Sequence, residues 1–201
     1  TGMIIELGTW VMYESCRIAK DWLQKELLDF RISVNVSSRQ FERQNVAQLV
    51  EDALRDSGLE AQYLTLELTE SVIMSSRDKN IATLSEIKEK GVKISLDDFG
   101  TGYSSLSYLR TFPVDTLKID QQFIKDSETD LEVRSIISAI VMMAHALGLD
   151  VVAEGVEGKD EFLYLKSINC DIIQGYYFSK PLPHLEAENY IKDSFKKNLA
   201  G

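Results

Sequence analysis

Six short aliphatic and β-branched runs, each followed by turn residues and most by an amphipathic stretch, constrain this 201-residue chain more than any other feature. The runs are RISVNVS (31–37), YLTLELTE (63–70), VKISLDDFG (92–100), DTLKID (115–120), DVVAEGVE (150–157) and CDIIQGYYFS (170–179). Between them VAQLVEDALRDSG (46–58), IATLSEIKEKG (81–91) and LEVRSIISAIVMMAHALG (131–148) carry the apolar spacing of helices, and each closes on a glycine suited to a left-handed cap. Strands alternating with helices predict an α/β fold with a mainly parallel sheet, either a (β/α) barrel or a doubly wound sheet. Residues 4–25 read as a further helix, with Leu7, Val11 and Ile18 towards the core. Trp10, Trp22, Met142 and Met143 read as packing residues.

The chain suits one domain, residues 1–201, because no linker, low-complexity segment or repeat interrupts it. No apolar run reaches the roughly 18 residues of a membrane span. The beginning has no signal-peptide pattern and no initiator Met, so the chain reads as an excised fragment. Acidic residues outnumber basic ones by 32 to 22, a formal charge of −10. That charge disfavours binding to a DNA or RNA polymer or to an anionic membrane. A small phosphate ligand stays open, since bound metals reverse the local field. Cys16 and Cys170 lack any metal-binding or redox spacing and read as reduced structural thiols of a cytoplasmic protein.

Chemistry concentrates at the carboxyl ends of the six runs: Asn35, Glu67, Asp97 with Asp98, Lys118 with Asp120, Glu154 with Glu157, and Gln174. In parallel α/β sheets those ends converge on the active site. Adjacent Asp97 and Asp98 repel one another and call for a cation, although Asp-Asp-Phe-Gly also suits a turn. Glu67 and Glu154 lie in apolar surroundings where a charge needs a partner. Oxygen donors without His or Cys suit Mg²⁺ or Mn²⁺, and five such groups can hold two ions roughly 3.5–4 Å apart. Structural readings stand beside these. Asn35 is also a possible strand-to-helix cap, Glu67 and Glu154 possible salt-bridge partners of Lys118, and Lys118 a possible partner of Asp120. Glu70 and Glu157 suit helix N-termini, Gln174 suits a turn, and His145 and His184 read as structural.

The motifs NVSSRQF, LELTES, LDDFGTGYSSLSYL, LKID, VVAEGVE and QGYYFSKPLP, in this order, resemble the EAL-domain family of cyclic di-GMP phosphodiesterases over essentially the whole chain. The resemblance implies a modified (β/α)₈ TIM-type barrel with one antiparallel strand. It also implies hydrolysis of cyclic di-GMP to linear pGpG with Mg²⁺ or Mn²⁺. Asn35, Glu67, Asp97, Asp98 and Glu154 would be metal ligands, Glu154 also a general base, and Lys118 a contact to the attacking water or scissile phosphate. Gln174 would organise water or substrate, with Asp120 and Glu157 in support. The loop from Asp98 to Ser105, held by Glu70, would couple substrate to dimer packing. A homodimer and an attached sensory or cyclase domain are further implications. The Glu-Ala-Leu tripeptide that names the family does not occur here, and six strands are visible where the fold has eight. The resemblance therefore implies a domain lacking its first strands.

Overall fold

The computed structural model describes residues 2–27, 30–100 and 109–199. Helix α1 (Met3–Gln24) precedes strand β1 (Ile32–Asn35), helices α2 (Ser38–Arg43) and α3 (Val46–Ser57), and β2 (Leu64–Thr69). Then come α4 (Glu70–Ser75), α5 (Arg77–Glu89), β3 (Lys93–Phe99), β4 (Thr116–Ile119), α6 (Gln121–Asp126) and α7 (Leu131–Ala146). The remainder is β5 (Asp150–Ala153), α8 (Lys159–Ser167), β6 (Ile172–Ile173) and α9 (His184–Leu199). The six strands form one sheet in the order β1 to β6, every neighbouring pair parallel. The sheet curls into part of a barrel wall, because side chains from all six strands line one interior cavity of about 610 Å³.

Alternation along each strand sorts its residues between two environments. Leu64, Leu66 and Leu68 of β2 are buried, as are Ile94 and Leu96 of β3 and Leu117 and Ile119 of β4. These belong to the same apolar cluster as Val50 and Ala53 of α3, Leu84 and Ile87 of α5, and Ile137 and Val141 of α7. The intervening residues Ser33, Thr65, Ser95 and Thr116 face the cavity. Local signals fix the helix ends. Ser37 and Gln40 form a capping box at α2, Asn45 caps α3 through the Gln48 amide, and α3 closes on left-handed Gly58.

Three sequence expectations are corrected. Leu7 and Trp10 are 52% and 62% exposed, since α1 buries Met12, Cys16, Ala19 and Trp22 instead. Met142 is 64% exposed on α7, whereas its neighbour Met143 packs against the core. The run 170–179 holds a strand of only two residues, for the chain turns at Gly175. A Cβ at Gly175 would lie 2.1 Å from the Val156 carbonyl oxygen, so the close approach there admits only glycine. Burial pushes the thiols of Cys16 and Cys170 up to about 11, which keeps both protonated and unreactive. His145 Nε2 lies 2.8 Å from Asp171 Oδ2, which also accepts the Val151 amide, tying α7 to the start of β6.

Candidate active site at the strand ends

Register alone places the acidic groups together. Asn35 pairs with Glu67 across β1 and β2, and Thr69 with Asp97 across β2 and β3. Between β3 and β4 the register slips, with Leu96 opposite Leu117 but Phe99 opposite Ile119. One extra residue is thus accommodated in β3, and Asp98 adopts a left-handed backbone with φ of 55°. A bulge of this kind re-aims side chains beside a site, and the positive φ of a non-glycine residue stores strain there. The continuation at residues 101–108 lies outside the described residues, and with it most of the loop assigned to dimer coupling.

Lys118 organises the centre. Its Nζ lies 2.9 Å from Glu67 Oε2, 3.0 Å from Asp97 Oδ1 and 2.8 Å from Glu154 Oε1, drawing on β2, β3 and β5 at once. Its side chain is only 5% exposed. Burial alone would lower its pKa, but the hydrogen bonds it donates to Glu154 and Glu67 and their charges outweigh that and raise it, so it stays an ammonium. Burial raises the pKa of Glu154, with Lys118 opposing and Asp97 and Glu67 reinforcing. Burial also raises that of Asp98, and the nearby charges of Asp97 and Asp120 add to it. The site therefore carries more negative charge than Lys118 neutralises.

Asp97, Asp98 and Glu154 offer oxygen atoms within 4.8 Å of one another. Each of Glu67, Asp97 and Glu154 bonds Lys118 through one oxygen and keeps a second. An oxygen-only set with excess negative charge fits a hard divalent cation and not a thiolate- or imidazole-bound metal. Asn35 Nδ2 stands 3.4 Å from Glu67 Oε2, at the edge of this set. Ser37, not Asn35, caps the following helix.

The flanking groups fall into place around this core. A second cavity of about 470 Å³ lies at the strand ends, where Asp98, Asp120, Glu154 and Glu157 share its wall with Gln174. Gln174 also lines the interior cavity, so it stands between the two. Asp120 does not pair with Lys118 in this structure; its Oδ1 accepts the Gln122 amide at 2.8 Å and caps α6. Glu70 is the first residue of α4 and lines neither of these cavities. Sequence reasoning passed over Gln121, next to Asp120, and Tyr176, two residues from Gln174, both of which line the strand-end cavity. It also passed over the buried Ser95 hydroxyl, which has no partner among the described residues and lies in the interior layer with Thr65 and Thr116.

The family model described as "EAL domain" matches residues 1–181. The signaling protein YkoW of Bacillus subtilis is 42% identical over 191 residues, which is 95% of this chain and 24% of YkoW. MucR of Pseudomonas aeruginosa, named a bifunctional diguanylate cyclase/cyclic di-GMP phosphodiesterase, is 41% identical over 91% of this chain and 27% of its own length. The chain thus spans about a quarter of the curated relatives it matches. The structure of the PaMucR phosphodiesterase in complex with c-di-GMP superposes with a TM-score of 0.90 at 40% identity, covering 93% of this chain and 76% of that one. Klebsiella pneumoniae BlrP1, solved as a manganese/cyclic di-GMP complex, gives a TM-score of 0.81 at 26% identity, covering 90% and 45%. A family model matched over nine-tenths of the sequence, on a sheet of the same architecture, means that this chain belongs to the EAL domain family.

Proposed function

We propose that residues 1–201 form a single domain that hydrolyses one phosphodiester bond of cyclic di-GMP, releasing linear pGpG. The observation that carries this reading is the convergence of Asn35, Glu67, Asp97, Asp98, Lys118 and Glu154 at the carboxyl ends of five consecutive parallel strands, in a chain of this family. Asn35, Glu67, Asp97, Asp98 and Glu154 would hold Mg²⁺ or Mn²⁺ as a pair of ions. Bound divalent ions supply a water of lowered pKa and neutralise phosphate charge. Glu154 takes the proton of the attacking water at the oxygen Lys118 leaves available, a role that contributes about 10²–10⁴-fold to rate. Lys118 offsets the charge that builds on the phosphoryl oxygens as the bond to the leaving ribose oxygen breaks. Gln174 orients water or substrate between the two cavities, Asp120 and Glu157 shape the wall, and Glu70 braces the loop that follows Asp98.

Incubation with cyclic di-GMP and Mn²⁺, followed by chromatography, should yield pGpG from the wild type and none from Glu154→Gln. Absence of pGpG from the wild type overturns the enzymatic reading. A noncatalytic cyclic di-GMP sensor or signalling scaffold is the second reading, favoured by one feature: Lys118 already binds three carboxylates together. Titration that shows binding without turnover selects it. We further infer a cytoplasmic homodimer with an attached sensory or cyclase domain; the much greater length of the relatives supports the attached domain. No helix among the described residues is long and apolar enough to cross a membrane.

A further inference from the structure

We propose that Gln40 is a positioning residue for Asn35, bracing the turn between β1 and α2 so that the Asn35 side chain stays with the carboxylates that would hold the divalent ions. The role rests on the metal-dependent function proposed above. Asn35 is the last residue of β1 and is exposed, and its side chain makes one hydrogen bond among the described residues, the 3.4 Å approach of Nδ2 to Glu67 Oε2. At that length the bond does little to fix the amide. Its aim is therefore set by the backbone that follows. The Val36 amide donates to the Glu67 carbonyl at 2.9 Å and secures the strand side of the turn. On the helix side the Ser37 amide and hydroxyl both donate to Gln40 Oε1, at 3.1 and 3.0 Å, and the Gln40 amide donates to Ser37 Oγ at 3.4 Å.

Capping alone does not account for where Gln40 sits. Its side chain is buried, at 2% exposure, and Nε2 has no hydrogen-bond partner among the described residues. An unpaired buried amide costs free energy that a solvent-facing cap residue would avoid. What burial adds is rigidity, because the amide is wedged between α2 and α1. A Cβ at Gly8 would lie 2.4 Å from Gln40 Nε2 and 2.6 Å from Oε1, so α1 offers bare backbone for it to rest on. One turn later Gln44 Nε2 donates to Thr9 Oγ1 at 2.8 Å and ties α2 to α1 again. Helix α1 is itself anchored by Met12 and Cys16, both fully buried. The turn that carries Asn35 is thus braced against an outer helix as well as against its neighbouring strand. Groups that orient metal ligands from behind typically account for 10- to 100-fold in metal affinity.

The test is Mn²⁺ titration, read from the electron paramagnetic resonance signal of the free ion and so independent of turnover. Gln40→Met keeps the bulk of the side chain but removes the acceptor, and should weaken Mn²⁺ binding about 10-fold. Gln40→Glu keeps the acceptor of the capping box and should bind like the wild type. Gln40→Asn, too short to reach the Ser37 amide, should match the methionine variant and serves if that one does not fold. Asn45→Ala removes the cap of α3 and should lower stability without changing Mn²⁺ affinity, which separates positioning from general loosening. With Asn35→Ala already present, Gln40→Met should weaken binding no further. Wild-type affinity in Gln40→Met or Gln40→Asn, or an undiminished loss in the Asn35→Ala background, would overturn the role of Gln40 while leaving the phosphodiesterase reading intact. A wild type that binds no Mn²⁺ and yields no pGpG would instead remove the function on which that role depends.

Discussion

Replacing Lys118 by methionine removes the cation shared by Glu67, Asp97 and Glu154 while keeping a side chain of similar length. All three contacts lie between 2.8 and 3.0 Å, and the partner side chains are 12, 14 and 19% exposed. Removing one partner of a buried ion network costs about 3–5 kcal/mol, because the remaining charges stay desolvated and uncompensated. The carboxylates here reach solvent through the adjoining cavities, which places the expected loss near the lower end, about 3 kcal/mol. For a domain of this size that lowers the melting temperature by roughly 6–12 °C. The assay is urea and thermal unfolding in the presence of a chelator, with Lys93→Met as a control. Lys93 pairs with Asp115 at 2.9 Å but is 43% exposed, so its loss should cost only about 0–1 kcal/mol. Mn²⁺ at a hundredfold excess over its dissociation constant should return roughly 2.7 kcal/mol to Lys118→Met, since it replaces the missing positive charge. A loss below about 1 kcal/mol in chelator, or equal losses at Lys118 and Lys93, would refute the view that Lys118 is the electrostatic centre of the site.

Asp98→Asn should leave the metal-free protein at least as stable as wild type, because it removes a charge crowded by Asp97 and Asp120, yet shrink the thermal shift produced by Mn²⁺; differential scanning fluorimetry reads both effects. Gly175→Ala forces a Cβ onto the Val156 peptide, backbone that no rotamer change can clear, and should lower stability by at least about 2 kcal/mol in urea unfolding. Asp115 is raised in pKa by burial but lowered more strongly by bonds from Lys93, the Ile94 amide and Lys88, for a net depression. Its stabilisation is therefore full above the unfolded carboxyl pKa of about 3.9 and is lost as pH falls through the lower folded value. Asp115→Asn should accordingly cost about 1–3 kcal/mol at pH 7, with the gap to wild type closing as the pH drops below about 4 in acid titrations of stability.

Much of the framework was legible because it follows from local periodicity. The leucines of LTLEL alternate with Thr65 and Glu67 and take opposite faces of β2, as period-two patterning requires. Helix α3 begins and ends where its asparagine and glycine caps stand. Faces of helices were less legible. Leu7 and Trp10 carry as much apolar surface as Met12 and Trp22, and only the position of α1 against α3 and β1 decides which of them is buried. The strand-end rule brings Asp97, Lys118 and Glu154 into one candidate group, and the apolar surroundings of Glu67 and Glu154 point to Lys118 as their partner, which both bond. What the sequence leaves undecided is the choice among the candidates: Asp120, two residues away, caps a helix instead, and Asp97 supplies the third contact.

What the amino-acid order determined by itself is a parallel α/β chain with an oxygen-rich set of side chains at successive strand ends, since strand alternation and helix capping are short-range effects. The tertiary structure decided the rest: the curl that brings four strands around one ammonium, the bulge that turns Asp98 into a left-handed conformation beside Asp97, and the Val156–Gly175 contact that sets Tyr176 on the rim. Each of these depends on distances between residues remote in sequence, and such distances are fixed only when the sheet and its helices pack together.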